Sequence, residues 1–411
     1  MRTTVPRLAG VLLAVGSAVA ITATAFAGDP SGGTALSPGS VAGPDIHPAG
    51  AASFHSALLS PLPIEGLTGD NHGFLYAPAR AASGPCPVYR VPVRGGDPVV
   101  VGNLPAPCGP AGLAFGPDGR LYVGDGARID VLTPDAANPP TATVFTDAVA
   151  GANGLAFDRR GQLWVSDGGT GAGRVWRIGP DGVPRIVFRV QPMVNEVNVT
   201  NGVGGIGRDP RSLPPGTVTI TPNGRAAADT AGSQHIVANG LAFAPDGRTL
   251  FVADTARGAI WRVGIDSRGA LRSPTGCDTT FSADTLCLDD VFVAHPALEG
   301  SDGIAVDRAG NVWAAANERN AIVVVTARGQ VVEFFRNAPD AATRLRNTGP
   351  LEFPTSPFLA GRTLCVTSSD GSRRDNAPNT GGEASPTGTA RAKISCLDQP
   401  LPVAGLTLPI R

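Results

Sequence analysis

Short apolar segments alternate with glycine- and aspartate-bearing turns along most of the chain. The clearest unit is the apolar segment 240–243 (GLAF), followed by the turn 245–247 (PDG) and the second apolar segment 250–252 (LFV). Glycine supplies the positive φ that tight hairpins require, so each unit predicts two antiparallel strands. A third strand, such as 260–263 (IWRV), usually follows.

This unit repeats along the chain. The six copies share the order strand, turn, strand, and begin at Glu65, Gly112, Gly154, Gly240, Gly303 and Pro357. Repeats of about 40–50 residues with several strands each are typical of β-propeller blades. The pattern therefore predicts an all-β fold, a six-bladed β-propeller over residues 56–411, in which ring closure removes exposed strand edges. An open solenoid is the alternative, but it needs capping repeats, and none is recognisable.

The spacing of the copies is uneven between the third and the fourth. Gly154 and Gly240 are 86 residues apart, whereas Gly112 and Gly154 are 42 apart. The excess, residues 190–236, is polar and rich in glycine and proline, and predicts a long inserted loop between blades 3 and 4. A degenerate seventh blade is the alternative. Loops of this length are uncommon unless they are functional or disordered, so an ordered lid and a floppy insertion both stay open.

The N-terminus predicts export. Residues 1–27 combine two arginines, an apolar stretch and the small-x-small site Ala25-Phe26-Ala27, as secretory signal peptides do. Residues 28–55 lack periodicity and predict a flexible lead-in. The six cysteines form no C-x-x-C pair, and an even number in a secreted chain indicates disulfides. The pairs proposed from proximity are Cys86–Cys108, Cys277–Cys287 and Cys365–Cys396.

Composition narrows the classes of function. Apolar residues make up 42% of the chain and charged residues 16%, which excludes a largely disordered protein. With 54 glycines and 38 prolines, long helical bundles are excluded too. The net charge is -1 and Lys393 is the single lysine, so no basic surface for nucleic acid or for an anionic membrane is expected.

One position of the repeat is a candidate for chemistry. The innermost strand of each blade lines the central channel, so the residues that precede the glycine of each unit meet near the axis. These residues are Glu65, Ala111, Asn153, Asn239, Asp302 and, loosely placed, Ser356. Two carboxylates and two amides suit a hard cation such as Ca²⁺, which takes six to eight oxygen ligands. Asn and Asp before Gly also serve as simple turn residues, and that interpretation stays open.

Four segments of the chain resemble motifs of a known family: 153–157 (NGLAF), 239–248 (NGLAFAPDGR), 252–255 (VADT) and 302–307 (DGIAVD). Over about residues 60–398, the chain resembles the senescence marker protein/gluconolactonase/luciferin-regenerating enzyme family of six-bladed propellers. The resemblance implies that a catalytic divalent metal, commonly calcium, is bound by Glu65, Asn153, Asn239 and Asp302. It also implies that Asp302 activates the attacking water.

The implied function is a secreted, metal-dependent hydrolase of a small-molecule lactone or ester, in which the metal polarises the carbonyl. A non-catalytic secreted propeller that binds a protein, a peptide or a glycan is the alternative. Sugar-lactone members of the family have an arginine before the blade-3 asparagine, where this chain has Gly151 and Ala152. This departure favours a more apolar substrate. His235, near Asn239, is a further candidate base.

Overall fold

Six four-stranded antiparallel sheets make up the fold. The structure is a computed structural model that describes residues 44–191, 234, 236–371, 374–376 and 392–409. Within these ranges there is no α-helix, and the helical elements are short 3₁₀ turns at Leu288–Asp290, Pro296–Leu298, Asn317–Arg319 and Arg374–Asn376. The innermost strands contact each other in sequence around a closed ring. The prediction of a six-bladed β-propeller is therefore confirmed.

Each blade is a sheet of neighbouring strands, ordered below from the innermost strand outwards. Blades 1 to 3 consist of β2 (Thr68–Gly69), β3 (Phe74–Pro78), β4 (Cys86–Pro92) and β5 (Val99–Leu104); β6 (Pro110–Phe115), β7 (Leu121–Asp125), β8 (Arg128–Leu132) and β9 (Thr143–Thr146); and β10 (Ala152–Phe157), β11 (Leu163–Asp167), β12 (Arg174–Ile178) and β13 (Pro184–Arg189). Blades 4 to 6 consist of β14 (Leu241–Phe243), β15 (Thr249–Asp254), β16 (Ala259–Gly264) and β17 (Val291–Ala294); β18 (Ser301–Val306), β19 (Val312–Ala316), β20 (Ala321–Val325) and β21 (Val331–Arg336); and β22 (Pro354–Ala360), β23 (Thr363–Ser368), β24 (Ala392–Leu397) and β1 (Phe54–Ser60).

The hairpin turns explain why the repeats fold locally. In blade 3 the carboxylate of Asp158 accepts a hydrogen bond from the backbone N–H of Gln162 at 3.0 Å and another from the indole N–H of Trp164 at 3.1 Å. In blade 5 Asp307 accepts the indole N–H of Trp313 at 3.0 Å. The turn aspartate thus fixes the turn and anchors the aromatic residue of the next strand.

The blades pack against each other through large apolar side chains. Trp164 of blade 3 and Phe243 of blade 4 lie in one buried cluster, with ring centroids 5.7 Å apart. Trp313 of blade 5 stacks within its own blade on Phe334, with ring centroids 4.9 Å apart, and lies in one buried cluster with Leu359 of blade 6. Both indoles are fully buried, so these tryptophans contribute to the packing of the core.

The N-terminal part of the chain closes the ring, which the sequence does not predict. Strand β1 pairs with β24 of blade 6, from Phe54 opposite Leu397 to Ser60 opposite Ala392. The flexible lead-in predicted over 28–55 needs correction at its end, because Ile46 is buried and the backbone N–H of Ala49 donates to Phe334 at 2.7 Å. The burial of Ile46 and the pairing of β1 with β24 hold this segment against the propeller.

All three predicted disulfides are present, Cys86–Cys108, Cys277–Cys287 and Cys365–Cys396. The predicted signal peptide 1–27, lead-in residues 28–43, residues 192–233 of the insertion and His235 lie outside the described residues. In the part of the chain that the structure does describe, no helix is long and apolar enough to cross a membrane.

Candidate functional site

A ring of close backbone contacts surrounds the channel axis. A Cβ atom added to Gly154 of blade 3 would lie 2.5 Å from the carbonyl oxygen of Asn239 in blade 4, and one added to Gly240 would lie 2.6 Å from that of Asp302 in blade 5. Ordinary contacts of Cβ begin near 3.4 Å. The glycine after each polar residue is therefore needed for the close approach of neighbouring blades, and it does not form a turn.

This ring corrects the register of blade 6. A Cβ atom on Gly303 would lie 2.5 Å from the carbonyl oxygen of Thr355 and 2.8 Å from the Cα of Ser356. Ser356 therefore occupies the position of the ring glycine, and Thr355 is the residue equivalent to Asp302. The hydroxyl of Thr355 donates to the carbonyl oxygen of Glu65 at 2.7 Å, which joins blade 6 to blade 1.

Hydroxyl groups at the ends of the second strands tie Asn239 to the neighbouring blades. Ser166 of blade 3 donates to the carbonyl oxygen of Asn239. The hydroxyl of Thr255, in blade 4, accepts a hydrogen bond from the Nδ2 of Asn239 at 3.0 Å. The same hydroxyl donates to the carbonyl oxygen of Ser301 at 2.7 Å. Sequence reasoning missed these hydroxyls, although Thr255 follows the recurrent aspartate of the second strand.

Asp302 is the most perturbed acidic group of the site. Its side chain is buried, and the Nδ2 of Asn317 donates to its Oδ2 at 2.9 Å. Burial and then the negative charge of Glu65 raise the pKa of Asp302 well above its usual value, while the amides of Asn317 and Asn239 and the charge of Arg80 oppose this rise. Asp302 thus lies close enough to Glu65, Asn239 and Arg80 for electrostatic interaction.

The amide of Asn239 is left partly unsatisfied by the protein. Asn239 is 2% exposed, and its Oδ1 has no hydrogen-bond partner among the described residues. A buried amide oxygen without a partner is costly. Asn153 packs against Gly168, where a Cβ atom would clash with its amide. Asn153 precedes Asn239 around the ring, but within the described ranges no hydrogen bond joins its amide to the other three predicted ligands.

Glu65 is held by an arginine that sequence reasoning missed. The Nη2 of Arg80 donates to the Oε2 of Glu65, and its Nε donates to the carbonyl oxygen of Pro110 at 3.0 Å. The isolated pairing of Ile64 with Ala79 brings Arg80 beside Glu65. No sequence signal marked Arg80, because its partners come from two blades.

The other side of the ring is lined mainly by apolar side chains. Below the ring, the cavity is lined by the leucine, alanine and phenylalanine residues of the inner strands and by Leu406, Leu408 and Pro409 of the C-terminal segment. Its volume is about 100 Å³, less than the ~150 Å³ that accommodates one benzene molecule. This cavity is small, and we place the candidate site at the polar end of the channel.

Several further aspartates and histidines have structural roles. The aspartates that end the second strands each bind an arginine at or just before the start of the third strand, in the pairs Asp125–Arg128, Asp167–Arg174 and Asp254–Arg257. His72 is exposed in a turn, and His295 caps a 3₁₀ turn by accepting the N–H of Ala297. Among the described residues, no three His, Cys, Asp or Glu side chains form a metal cluster. A cation site would therefore depend on the amides of Asn153 and Asn239.

Comparison with known proteins confirms the resemblance. Residues 204–370 match the model of the SMP-30/Gluconolactonase/LRE-like region. The matched span includes Asn239 and Asp302 and excludes Glu65 and Asn153, and it covers less than half of the chain. No curated relative matches the chain by sequence.

Several solved structures are similar in fold. A calcium-binding protein, regucalcin, from Agrobacterium tumefaciens is 19% identical with a TM-score of 0.53, over 87% of this chain and 98% of that chain. A luciferin-regenerating enzyme is 15% identical with a TM-score of 0.53, over 87% and 98%. The PQQ-bound aldose sugar dehydrogenase of Streptomyces coelicolor is 16% identical with a TM-score of 0.52, over 85% and 99%. At such identities the likeness shows the propeller fold alone, and these folds carry different activities.

Proposed function

We propose that this protein is an exported, metal-dependent hydrolase of lactones or carboxylic esters, with a Ca²⁺-type cation at the polar end of the channel. Glu65, Asn153, Asn239 and Asp302 would hold the cation. The observation that carries this proposal is the buried, unpartnered Oδ1 of Asn239 beside the buried carboxyl of Asp302. Both features are unfavourable in an uncharged pocket, and a bound cation compensates for both.

The donor set fits a hard cation. Carboxylate and amide oxygens are the ligands that Ca²⁺ prefers, and the four side chains leave coordination positions for water and substrate. The similarity to the SMP-30/Gluconolactonase/LRE-like region supports lactones as the substrate class. When bound, a divalent cation supplies Lewis-acid polarisation of a carbonyl group and stabilises the oxyanion.

The protein's own groups account for the rest of the chemistry. Asn317 holds the Oδ2 of Asp302, so Asp302 keeps one orientation and Oδ1 is the atom that accepts the proton of the attacking water. Thr255 orients the amide of Asn239 by accepting a hydrogen bond from its Nδ2, and the unpartnered Oδ1 is the atom that would bind the cation.

The test is hydrolysis of a panel of lactones and aryl esters by the full protein, with Ca²⁺ and after chelation. We expect turnover that chelation abolishes and Ca²⁺ restores, and that falls by more than about a hundredfold in Asp302→Asn and Asn239→Ala. The control variant is Asn138→Ala, because Asn138 lies exposed on the outer surface of blade 2. If Ca²⁺ raises the melting temperature but no substrate turns over, the protein is a non-catalytic binding propeller. If the two site variants stay fully active, the site is wrong.

Export rests on separate observations. Three disulfides persist in oxidising compartments and are rare in the cytosol. Mass spectrometry of the exported protein tests the predicted cleavage, which should leave Gly28 as the first residue. An intact N-terminus would contradict it.

A further inference from the structure

The guanidinium of Arg80 is fixed at the mouth of the candidate site by two blades. Arg80 follows strand β3 of blade 1, and its backbone N–H donates to the carbonyl oxygen of Pro63 at 2.8 Å. Its side chain bonds Glu65 from the same blade and the carbonyl oxygen of Pro110 from blade 2. These two hydrogen bonds hold the guanidinium in place, whereas a freely solvated arginine side chain would have neither of them.

A disulfide stabilises this arrangement. Cys86–Cys108 joins the loop that carries Arg80 to the segment that leads into Pro110. The backbone N–H of Ala81 also contacts the sulfur of Cys86 at 3.3 Å. The two segments that hold the guanidinium are therefore cross-linked to each other, and the arginine is pre-organised, which reduces the entropy lost on binding a ligand.

The guanidinium keeps capacity to bind a ligand. The side chain of Arg80 is 45% exposed although it bonds Glu65, and its Nη1 has no hydrogen-bond partner among the residues that the structure describes. Arginine presents its N–H donors as a planar fork that matches a carboxylate. The free edge of Arg80 is thus open to solvent beside the predicted ligand position.

The charge of the site also favours an anion. The site combines the two carboxylates of Glu65 and Asp302, the guanidinium of Arg80 and two neutral amides. With a divalent cation bound, these charges sum to one positive charge. A site of this sign attracts a negatively charged ligand. The more apolar substrate is predicted because blade 3 has Gly151 and Ala152 where sugar-lactone enzymes have an arginine. In this structure blade 1 supplies a guanidinium, that of Arg80, instead.

We propose that Arg80 determines specificity by binding a carboxylate carried by the substrate, so that the preferred substrates are lactones or esters with an anionic substituent. This inference rests on the proposed function, because it concerns the same site. The substituent is distinct from the scissile carbonyl, and Arg80 takes no part in bond breaking.

The experiment compares two lactones that differ only in charge, a butyrolactone carboxylate and the corresponding carboxamide, with the Ca²⁺-loaded full protein. We expect wild type to prefer the carboxylate through a lower KM. In Arg80→Gln the ratio of kcat/KM for carboxylate over carboxamide should fall by about tenfold or more, and Arg80→Lys should retain part of it. The control Arg268→Gln should leave the ratio unchanged, because Arg268 is 85% exposed in an outer loop.

A binding measurement separates this inference from the proposed function. Calorimetric titration of glutarate into the Ca²⁺-loaded protein should show binding that Arg80→Gln weakens about tenfold. Titration of Ca²⁺ alone should show unchanged or tighter binding in Arg80→Gln, because a positive charge is removed. If no lactone turns over but glutarate binding depends on Arg80, the proposed function fails, while the binding of a carboxylate by Arg80 stands. If the ratio and glutarate binding are unchanged, or if Ca²⁺ binding is lost, Arg80 does not bind the substrate and the inference is overturned.

Discussion

The ring of glycines offers a sharp test of the propeller's central geometry. In Gly240→Ala the new methyl group would lie 2.6 Å from the carbonyl oxygen of Asp302, 2.7 Å from the N of Ile304 and 2.8 Å from the Cα of Gly303. All three atoms belong to the backbone, so no flexible side chain can move aside. To reach ordinary contact, the inner strands of blades 4 and 5 must separate by about 0.8 Å.

Such overpacking costs about 3 kcal/mol of unfolding free energy, the upper part of the range for inserted methyl groups. For a domain of this size the melting temperature should fall by about 4 °C. The same displacement moves Asn239 away from Asp302, so Ca²⁺ should bind more weakly. The assay is urea denaturation with Ca²⁺ and with a chelator, since a damaged site gains less stability from Ca²⁺.

Gly109→Ala is the matched control. A Cβ atom on Gly109 meets no other atom within 4 Å, and its φ lies outside the left-handed region. Its effect should stay within about 0.5 kcal/mol. If Gly240→Ala unfolds at the same urea concentration as Gly109→Ala and binds Ca²⁺ as tightly as wild type, the close approach of the blades is refuted.

Three further predictions concern a buried carboxyl group, a disulfide and an amide. Burial and a neighbouring carboxyl raise the pKa of Asp130 to about 6. Between about pH 4 and pH 7 the folded state therefore keeps a proton that the unfolded chain releases. The free energy of unfolding should fall as the pH rises through this range. Asp130→Asn should flatten this loss, worth up to about 3 kcal/mol, in urea titrations across that range, and an unchanged slope would contradict it. Replacement of Cys86 and Cys108 by serine should cost about 3 kcal/mol in the same assay and raise the KM for the carboxylate lactone, whereas wild-type behaviour would show that the cross-link is dispensable. Asn317→Ala should weaken Ca²⁺ binding about tenfold in calorimetry, because Asp302 loses the amide that orients it; equal affinity would exclude that role.

Local chemistry explains why most blades are predictable from sequence. The turn at Asp158 and the strand at Trp164 lie six residues apart and interact directly, so the hairpin is encoded within one short segment. The ring glycines, such as Gly240, recur for a reason of packing between blades. The repeat predicts where these glycines lie, although the sequence does not show which backbone atoms of the next blade they contact.

The features that sequence reasoning missed depend on residues far apart in the chain. Strand β1 pairs Phe54 with Leu397, and nothing near Phe54 marks it as the outer strand of blade 6. The predicted position of Ser356 is wrong by one residue because a serine replaces the ring glycine there. Arg80 needs Pro110 of the next blade to face the site. Each of these three features is set by contacts between distant segments in the closed ring, which no local sequence pattern contains.

The most direct test of the central claim is calorimetric titration of Ca²⁺ into the chelator-treated protein. The account predicts one tight ion per chain, lost in Asn239→Ala and kept in Asn138→Ala, because the buried Oδ1 of Asn239 is a ligand. Absence of Ca²⁺ binding, or equally tight binding by Asn239→Ala, would contradict a cation site at the polar end of the channel.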